Sequence, residues 1–202
     1  GHRRREVVLP QPWAGGEVRL RGLELDEFDL SVLLGLLEIG LTDTDASEIL
    51  RADQVQHQNL RSAWAASDVM RITGSIDEMI RLAGRTPGGA TRARLRRSIE
   101  RMRGVVVTGA DAGGEWGTAN LVAGAAGDGR RSVDVELSPR LSRAVLGATP
   151  WAGIQMPAYR ELSAGVPRLM YAWLCGWLCS RQGNRIGLGR LLDHVYADLP
   201  VP

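Results

Sequence analysis

The order of apolar and polar residues predicts a β-hairpin followed by a helix at the start of the chain. Residues 5–10 and 17–21 alternate polar and apolar side chains on either side of a Pro-Trp-Ala-Gly-Gly segment, which is typical of two antiparallel strands and their turn. Residues 26–39 have a wide apolar face and acids in the first turn, so we expect a helix that ends at Gly40. The residues that follow are polar, and we expect at most a short helix there, over 46–55.

The next segment predicts a strand and two helices. A strand is expected over 68–72, and Ser75 with Glu78 has the spacing of a capping box that opens a helix over 76–83. A short connection containing Pro-Gly-Gly leads into a second helix, Ala90–Arg103. Two helices joined by a short turn that contains glycine form a helix-turn-helix.

A β-hairpin is expected directly after the second helix, where a winged-helix domain has its wing. Val105–Thr108 and Gly117–Ala123 supply the two strands, so the expected wing spans Val105–Ala123. A third strand over 132–137 precedes a short helix, for which Ser138 is the expected N-cap and a proline occupies the first position.

From residue 151 onward the pattern is mainly helical, which suggests a second unit related to the first. A long apolar helix is expected over 164–180, followed by a short strand over 185–187 and a helix over 188–195. We therefore predict an α+β fold with one complete winged helix (helix-turn-helix plus β-hairpin wing) in residues 1–150. A partial second winged-helix domain is predicted for residues 151–202.

Charge is distributed unevenly along a chain whose formal net charge is only +2. Residues 24–53 carry nine acids against one base, whereas residues 81–103 carry eight arginines against one acid. All 25 basic residues are arginines, whose guanidinium groups bind phosphates and guanine bidentately. A concentrated basic stretch in a nearly neutral chain indicates a protein that binds a polyanion.

The helix over 90–103 is the candidate DNA-binding element. On a helical wheel Leu95, Ile99 and Met102 share a face that would pack on a core, and arginines occupy the opposite arc. A charged helix that merely faces solvent is the alternative, but this helix offers only Glu100 to balance its arginines. We therefore expect unpaired guanidiniums that can enter a major groove and bind phosphate or guanine. The predicted DNA-binding residues are Arg85, Thr91, Arg92, Arg94, Arg96, Arg97, Arg101 and Arg103.

Little else in the sequence indicates chemistry, so we expect a protein that is not an enzyme and uses no cofactor or metal. Cys175 and Cys179 lack metal-ligand spacing, and no pair of acids suggests a nuclease or polymerase metal site. No apolar run reaches the roughly 18 residues of a membrane span, and no apolar segment follows the charged start as in a signal peptide. We therefore expect a cytoplasmic protein that does not contact a membrane. Trp116, at the expected wing tip, is a further candidate for stacking on a base.

Several short segments occur in a characteristic order. Residues 83–89, Ala-Gly-Arg-Thr-Pro-Gly-Gly, precede the apolar positions of the second helix and the valines at 105–107. A strand and short helix over 133–141 and the run Leu-Cys-Gly-Trp-Leu at 174–178 follow. Together these segments resemble the TrfA family of replication initiators of IncP-type plasmids, and the last run is also similar to IncQ-type initiators. The resemblance covers most of the chain outside residues 41–65.

This resemblance implies an initiator that binds repeated origin sequences (iterons) in double-stranded DNA to start plasmid replication. It also implies recruitment of host replication proteins, such as the replicative helicase and its loader, and a possible homodimer. Ala90–Arg103 would be the recognition helix and Val105–Ala123 the wing, whereas the family's second recognition helix and wing have no counterpart in residues 188–202. Two other functions stay open: a winged-helix transcriptional repressor, and an adaptor that dimerises without binding specific DNA.

Overall fold

The computed structural model describes residues 4–11, 16–43, 45, 47–50, 69–110, 116–128, 131–146, 153–177, 187–189 and 191 of the chain. The chain divides into two compact units, Gly1–Thr149 and Pro150–Pro202. The first unit combines helices with two sheets, whereas the described part of the second is helical. The prediction of an α+β fold is confirmed.

The predicted hairpin opens the first unit. Strand β1 (Arg4–Gln11) pairs antiparallel with strand β2 (Gly16–Leu23) along the whole length of both. Gly22 allows a close approach in this region, because a Cβ there would lie 2.9 Å from the carbonyl oxygen of Gly104. A side chain at position 22 would therefore push the hairpin away from the rest of the unit.

Helix α1 (Glu27–Thr42) begins at a capping box made by two aspartates. The backbone N–H of Asp29 donates to Asp26 at 3.0 Å, and the backbone N–H of Asp26 donates to Asp29 at 2.8 Å. These bonds satisfy donors that the first turn of a helix leaves without partners. The expectation that Gly40 ends the helix is wrong: α1 continues past it, and the glycine lets the helix approach the sheet beneath it, where a Cβ would lie 2.7 Å from Met70.

The short helix expected over 46–55 is wrong where the structure describes this segment. Ser47–Leu50 forms strand β3, which pairs antiparallel with strand β4 (Val69–Ser75). Residues 51–55 lie outside the described residues. The ladder to β4 satisfies the backbone groups of β3 that face it, and this tertiary pairing overrides a weak local helix preference.

The predicted pair of helices follows β4. Helix α2 (Ile76–Leu82) is joined to helix α3 (Gly89–Arg103) by a turn in which Gly84 has a φ of 70°. The predicted capping box is absent, because the side chain of Ser75 makes no capping hydrogen bond. Instead, the first N–H of α2 donates to the carbonyl of Arg131 at 2.9 Å.

The range Val105–Ala123, expected to form a single hairpin, contains three strands. Strands β5 (Val106–Ala110) and β6 (Trp116–Asn120) pair antiparallel, as expected. Strand β7 (Val122–Ala126) does not continue that hairpin and pairs with strand β8 (Ser132–Leu137). The expected hairpin is therefore confirmed over β5 and β6, and the expectation is wrong only for residues 121–123, which lead into β7.

Two four-stranded antiparallel sheets result, and the chain crosses between them at Leu121. Sheet 1 has the order β1-β2-β5-β6, and sheet 2 has the order β3-β4-β8-β7. At the crossing, the N–H of Leu121 donates to the carbonyl of Val105 at 2.9 Å, and its carbonyl accepts from the N–H of Ser138 at 3.3 Å. Strand β4, which precedes the two helices, therefore pairs with β8, and β8 also pairs with β7 to form a hairpin.

The core of the first unit lies among α1, α2, α3 and sheet 2, with helix α4 (Pro139–Val145) packed against β4 and β8. Ser138 caps α4 as predicted, because its hydroxyl accepts the N–H of Leu141 at 3.3 Å. Burial of apolar side chains supplies the main driving force for this packing. The most deeply buried members are Phe28, Leu36, Ile72, Met79, Ile80, Leu95, Met102, Val122, Val135 and Leu137.

The second unit contains helix α5 (Met156–Glu161) and helix α6 (Val166–Trp177) in its described part. The long helix expected over 164–180 corresponds to α6, and the strand expected over 185–187 lies mostly outside the described residues. Tyr159 is fully buried, and the guanidinium of Arg168 lies 5.2 Å from the centre of its ring. No helix in the ranges that the structure describes is long and apolar enough to cross a bilayer.

Candidate nucleic-acid interface

Helix α3 packs on the core through the face that the sequence predicts. Leu95, Ile99 and Met102 are buried, together with Ser98 at the edge of the same face. The hydrophobic residues of this face belong to the core formed with α1 and α2. Packing therefore fixes which arginines of α3 can point outward.

Arg101 does not face outward. The prediction that Arg101 is exposed for DNA binding is therefore corrected. The residue is buried, and its guanidinium donates to both carboxylate oxygens of Asp29, at 3.1 and 2.5 Å. Asp29 is itself fully buried. A guanidinium held in this bidentate way inside the protein is not available to DNA.

Arg94 lies beside Arg101 on the same side of α3, and it also meets the start of α1. Its guanidinium donates to Asp26 at 3.1 Å and lies 4.4 Å from the centre of the Phe28 ring. Nearly half of its side chain is still exposed, 46% by area. Arg94 is therefore accessible, but its charge is partly balanced by an acid.

Two more predicted arginines are paired with acids. Arg85, in the turn before α3, forms a 2.5 Å ion pair with Glu27. Arg92 donates from two nitrogens to the two carboxylate oxygens of Asp77, each at 2.7 Å. The expectation that these arginines lack acidic partners is wrong. It considers only the acids of α3, whereas the partners belong to α1 and α2.

The rest of the predicted set lies at the surface without such a partner. Arg96, Arg97 and Arg103 are exposed on α3, and Thr91 is half-buried in its first turns. Among the described residues none of these three arginines forms an ion pair. Within the predicted site, these three arginines match the expectation of unpaired guanidiniums that face solvent.

The ion pairs change the protonation of the acids that take part. Partial burial raises the pKa of Asp26, but the backbone N–H of Asp29 and the guanidinium of Arg94 outweigh this, so the pKa is lowered from its usual 3.8. The hydrogen bond from Arg92 lowers the pKa of Asp77. Both aspartates are therefore charged at neutral pH.

Arg131 joins this surface although the sequence analysis did not select it. It is exposed in the turn before β8 and lines the same cleft as Arg92 and Arg96. The residue is separated from α3 by three strands in the chain, so only the pairing of β4 with β8 reveals that it lies close to α3. No local sequence signal could have found it.

The remaining predictions for the site concern metals and an aromatic residue. No cluster of acids, histidines or cysteines that could hold a metal occurs among the residues that the structure describes. Trp116 lies in β6, but its side chain is outside the described part of the structure. Its role in base stacking stays a prediction.

Two solved structures resemble the chain over nearly its whole length. The crystal structure of RctB domains 2-3 has a TM-score of 0.60 and 11% sequence identity, covering 98% of this chain and 72% of that one. The crystal structure of a selenomethionine derivative of domains 2 and 3 of RctB has a TM-score of 0.61 and 13% identity, covering 99% and 73%. At such low identity the likeness concerns the fold alone. No curated protein sequence matches this chain.

The family match defines the class of protein to which this chain belongs. It is a replication protein, because residues 16–200 match a family of replication proteins. The chain belongs to the Replication protein C (RepC) family. This membership supports the predicted role in replication, whereas the narrower resemblance to TrfA and to IncP- and IncQ-type initiators goes beyond it.

Proposed function

We propose that this protein is a replication initiator that binds repeated origin sequences in double-stranded DNA through helix α3. The observation that carries the proposal is the exposed basic face of Arg96, Arg97 and Arg103 on a helix whose other side is buried in the core. Membership of the RepC family supplies the replication context. The protein would act by binding and assembly and would not itself be an enzyme.

The proposal includes a winged helix formed by β4, α2, α3, β7 and β8. In this reading α2 and α3 are the helix-turn-helix, and α3 enters the major groove. The wing would be the β7–β8 hairpin and not the β5–β6 hairpin. The support is topological: β8 pairs with β4, the strand immediately before the two helices, whereas β5 pairs with β2 in the other sheet.

Within this site the arginines would have different tasks. Arg96 and Arg97 would bind guanine or phosphate in and beside the groove, since their guanidiniums have no internal acceptor among the described residues. Arg101 would instead position α3, through its buried ion pair with Asp29. Arg94 would contribute long-range attraction while it stays close to Asp26.

Binding to three DNAs tests the proposal: a duplex with the direct repeats of the origin, a random duplex and a single strand, each measured by fluorescence anisotropy over a salt series. We expect a preference for the repeats and a steep fall in affinity with salt. Arg97→Ala should weaken binding by about tenfold if the residue contacts a base, because a bidentate contact contributes about 1–3 kcal/mol.

The matched control is Arg19→Ala, which removes the same charge from an exposed residue of β2 in sheet 1. It should bind almost as the unchanged protein does. A protein that binds no duplex at low salt would disprove the initiator mechanism and favour an adaptor. Specific binding to a promoter, with no effect of the protein on origin firing in a replication assay, would favour a repressor.

We further propose that the DNA-bound protein recruits the host helicase and its loader, and that a homodimer is a form that does not bind the origin. Both are what the resemblance to plasmid initiators implies, and membership of the RepC family supports only the replication context. Sedimentation of the protein with and without a repeat-containing duplex measures the second point. A dimer that binds the repeats with full affinity would contradict it.

A further inference from the structure

A cleft of about 630 Å³ opens beside α3, between its first turns, the β4–α2 junction and the turn that precedes β8. Its charged lining consists of Arg92, Arg96, Arg131 and Asp77, so its formal net charge is +2. The volume is within the range of about 300–1,000 Å³ that is typical of ligand sites, and it exceeds what a single small ion needs.

The charges of the cleft are not equally available. Arg92 and Asp77 satisfy each other through two hydrogen bonds of 2.7 Å, which neutralises the only acid in the lining. Arg96 and Arg131 are exposed, and neither forms an ion pair with any residue that the structure describes. The cleft therefore has two unsatisfied guanidiniums on elements that are distant in sequence.

The position of Arg131 is fixed by its backbone and not by its side chain. Its N–H donates to Asp128 at 2.7 Å, and its carbonyl accepts the first N–H of α2 at 2.9 Å. The turn is tight at Gly127, where a Cβ would lie 2.5 Å from the carbonyl oxygen of Ser132. These two backbone bonds thus hold Arg131 beside the cleft, where its exposed side chain can bind a ligand.

We propose that this cleft binds a phosphodiester group of the DNA backbone between Arg96 and Arg131. Guanidinium forks match phosphate oxygens bidentately, and the open cleft admits the flanking sugars as well. The inference rests on the proposed function, in which α3 lies in the major groove. The DNA strand that borders this groove would then pass beside the β7–β8 turn. The cleft adds a contact that fixes the register of the protein on DNA but reads no base.

Salt dependence of binding to a random duplex tests the proposal with the full chain. The slope of log K against log salt is negative, and each lost phosphate contact reduces its magnitude by about 0.9. We expect this reduction for Arg131→Ala and for Arg96→Ala, so that the advantage of the unchanged protein over each variant shrinks about three- to fourfold between 50 and 200 mM salt. Arg131→Lys should retain most of the slope because it keeps a point charge, and Arg19→Ala should leave the slope unchanged.

Thermal unfolding provides the control for folding, since both side chains are exposed and their removal should leave the melting temperature unchanged. If the unchanged protein binds duplex but Arg131→Ala behaves as Arg19→Ala does, the cleft proposal is overturned and the initiator function stands. If no duplex is bound at all, both fail. If adenosine monophosphate binds as tightly as duplex and loses its affinity in Arg131→Ala, the assignment of the cleft to the DNA backbone is overturned.

Discussion

Individual aspartates decide which arginines of α3 stay available. Asp26 and Asp29 occupy the first turn of α1, where each accepts a backbone hydrogen bond of the capping box. The same two side chains accept hydrogen bonds from Arg94 and Arg101, which are seven residues apart and so lie on one side of α3. The charges on the side of α3 that meets α1 are thereby balanced, and the exposed arginines without an acidic partner, Arg96, Arg97 and Arg103, lie on the rest of its surface.

Asp29→Asn should strongly destabilise the first unit. It would remove the charge that pairs bidentately with the buried Arg101 and leave only the carboxylate of Asp26, at 3.9 Å, near that guanidinium. Breaking one partner of a buried ion pair costs about 3–5 kcal/mol. Urea denaturation measures the loss in the free energy of unfolding. Glu100→Gln, an acid change at an exposed position of α3, is the control and should stay within about 0.5 kcal/mol.

A second variant separates the ion pair from other effects at this position. The double replacement of Asp29 by Asn and Arg101 by Met removes both buried charges, keeps an oxygen at position 29 for the N–H of Asp26, and should recover most of the stability. If the single variant Asp29→Asn is as stable as the unchanged protein, the buried ion pair does not determine how α3 docks.

The stability that Asp26 contributes should depend on pH. Because its pKa in the folded protein is lowered below its usual 3.8, the contribution is complete above that value and is lost as the pH falls through the folded pKa. Asp26→Asn keeps an oxygen for the capping bond but loses the charge that holds Arg94. The variant should be less stable at pH 7, with a difference that narrows below about pH 4. Urea unfolding at several pH values tests this, and a difference that widens toward acid would refute it.

At the scale of helices and strands, the sequence predicts the elements well where periodicity is strong. The hairpin β1–β2, α1, the α2–α3 pair and β8 all follow from local patterns of apolar residues. β3 could not be predicted, because Ser47–Leu50 becomes a strand through its ladder to β4 and not through its own preference. The same limit applies to β7, whose partner is set by the crossing between sheets at Leu121.

The turn of the β7–β8 hairpin should tolerate no side chain at Gly127. A Cβ there meets a backbone oxygen, which cannot move as a flexible side chain can, so Gly127→Ala should cost about 1–3 kcal/mol. If the turn also presents Arg131 to DNA, duplex binding should weaken in the same variant. Urea denaturation and anisotropy measure the two effects. Gly89→Ala, where nothing lies within 4 Å of the added Cβ, should be neutral or slightly stabilising.

At the scale of the first unit, the acid-rich and arginine-rich parts of the chain meet in space. Residues 24–53 carry nine acids and residues 81–103 eight arginines, and four ion pairs join these two segments: Arg85–Glu27, Arg94–Asp26, Arg101–Asp26 and Arg101–Asp29. The basic stretch is uncompensated when charge is counted along the chain, because such a count does not show which acids fold against it. The candidate site is therefore smaller than predicted, and it also gains Arg131 from a distant segment.

The shared carboxylates of the capping box have a consequence for protein engineering. A transplanted α3 would carry its arginines into a new scaffold without the first turn of α1, and the buried cation at position 101 would then have no counterion. The smallest transferable recognition module is consequently not one helix but two helix segments that are far apart in sequence. If α3 binds DNA as proposed, exchange of DNA specificity between relatives should succeed only when both segments are moved together.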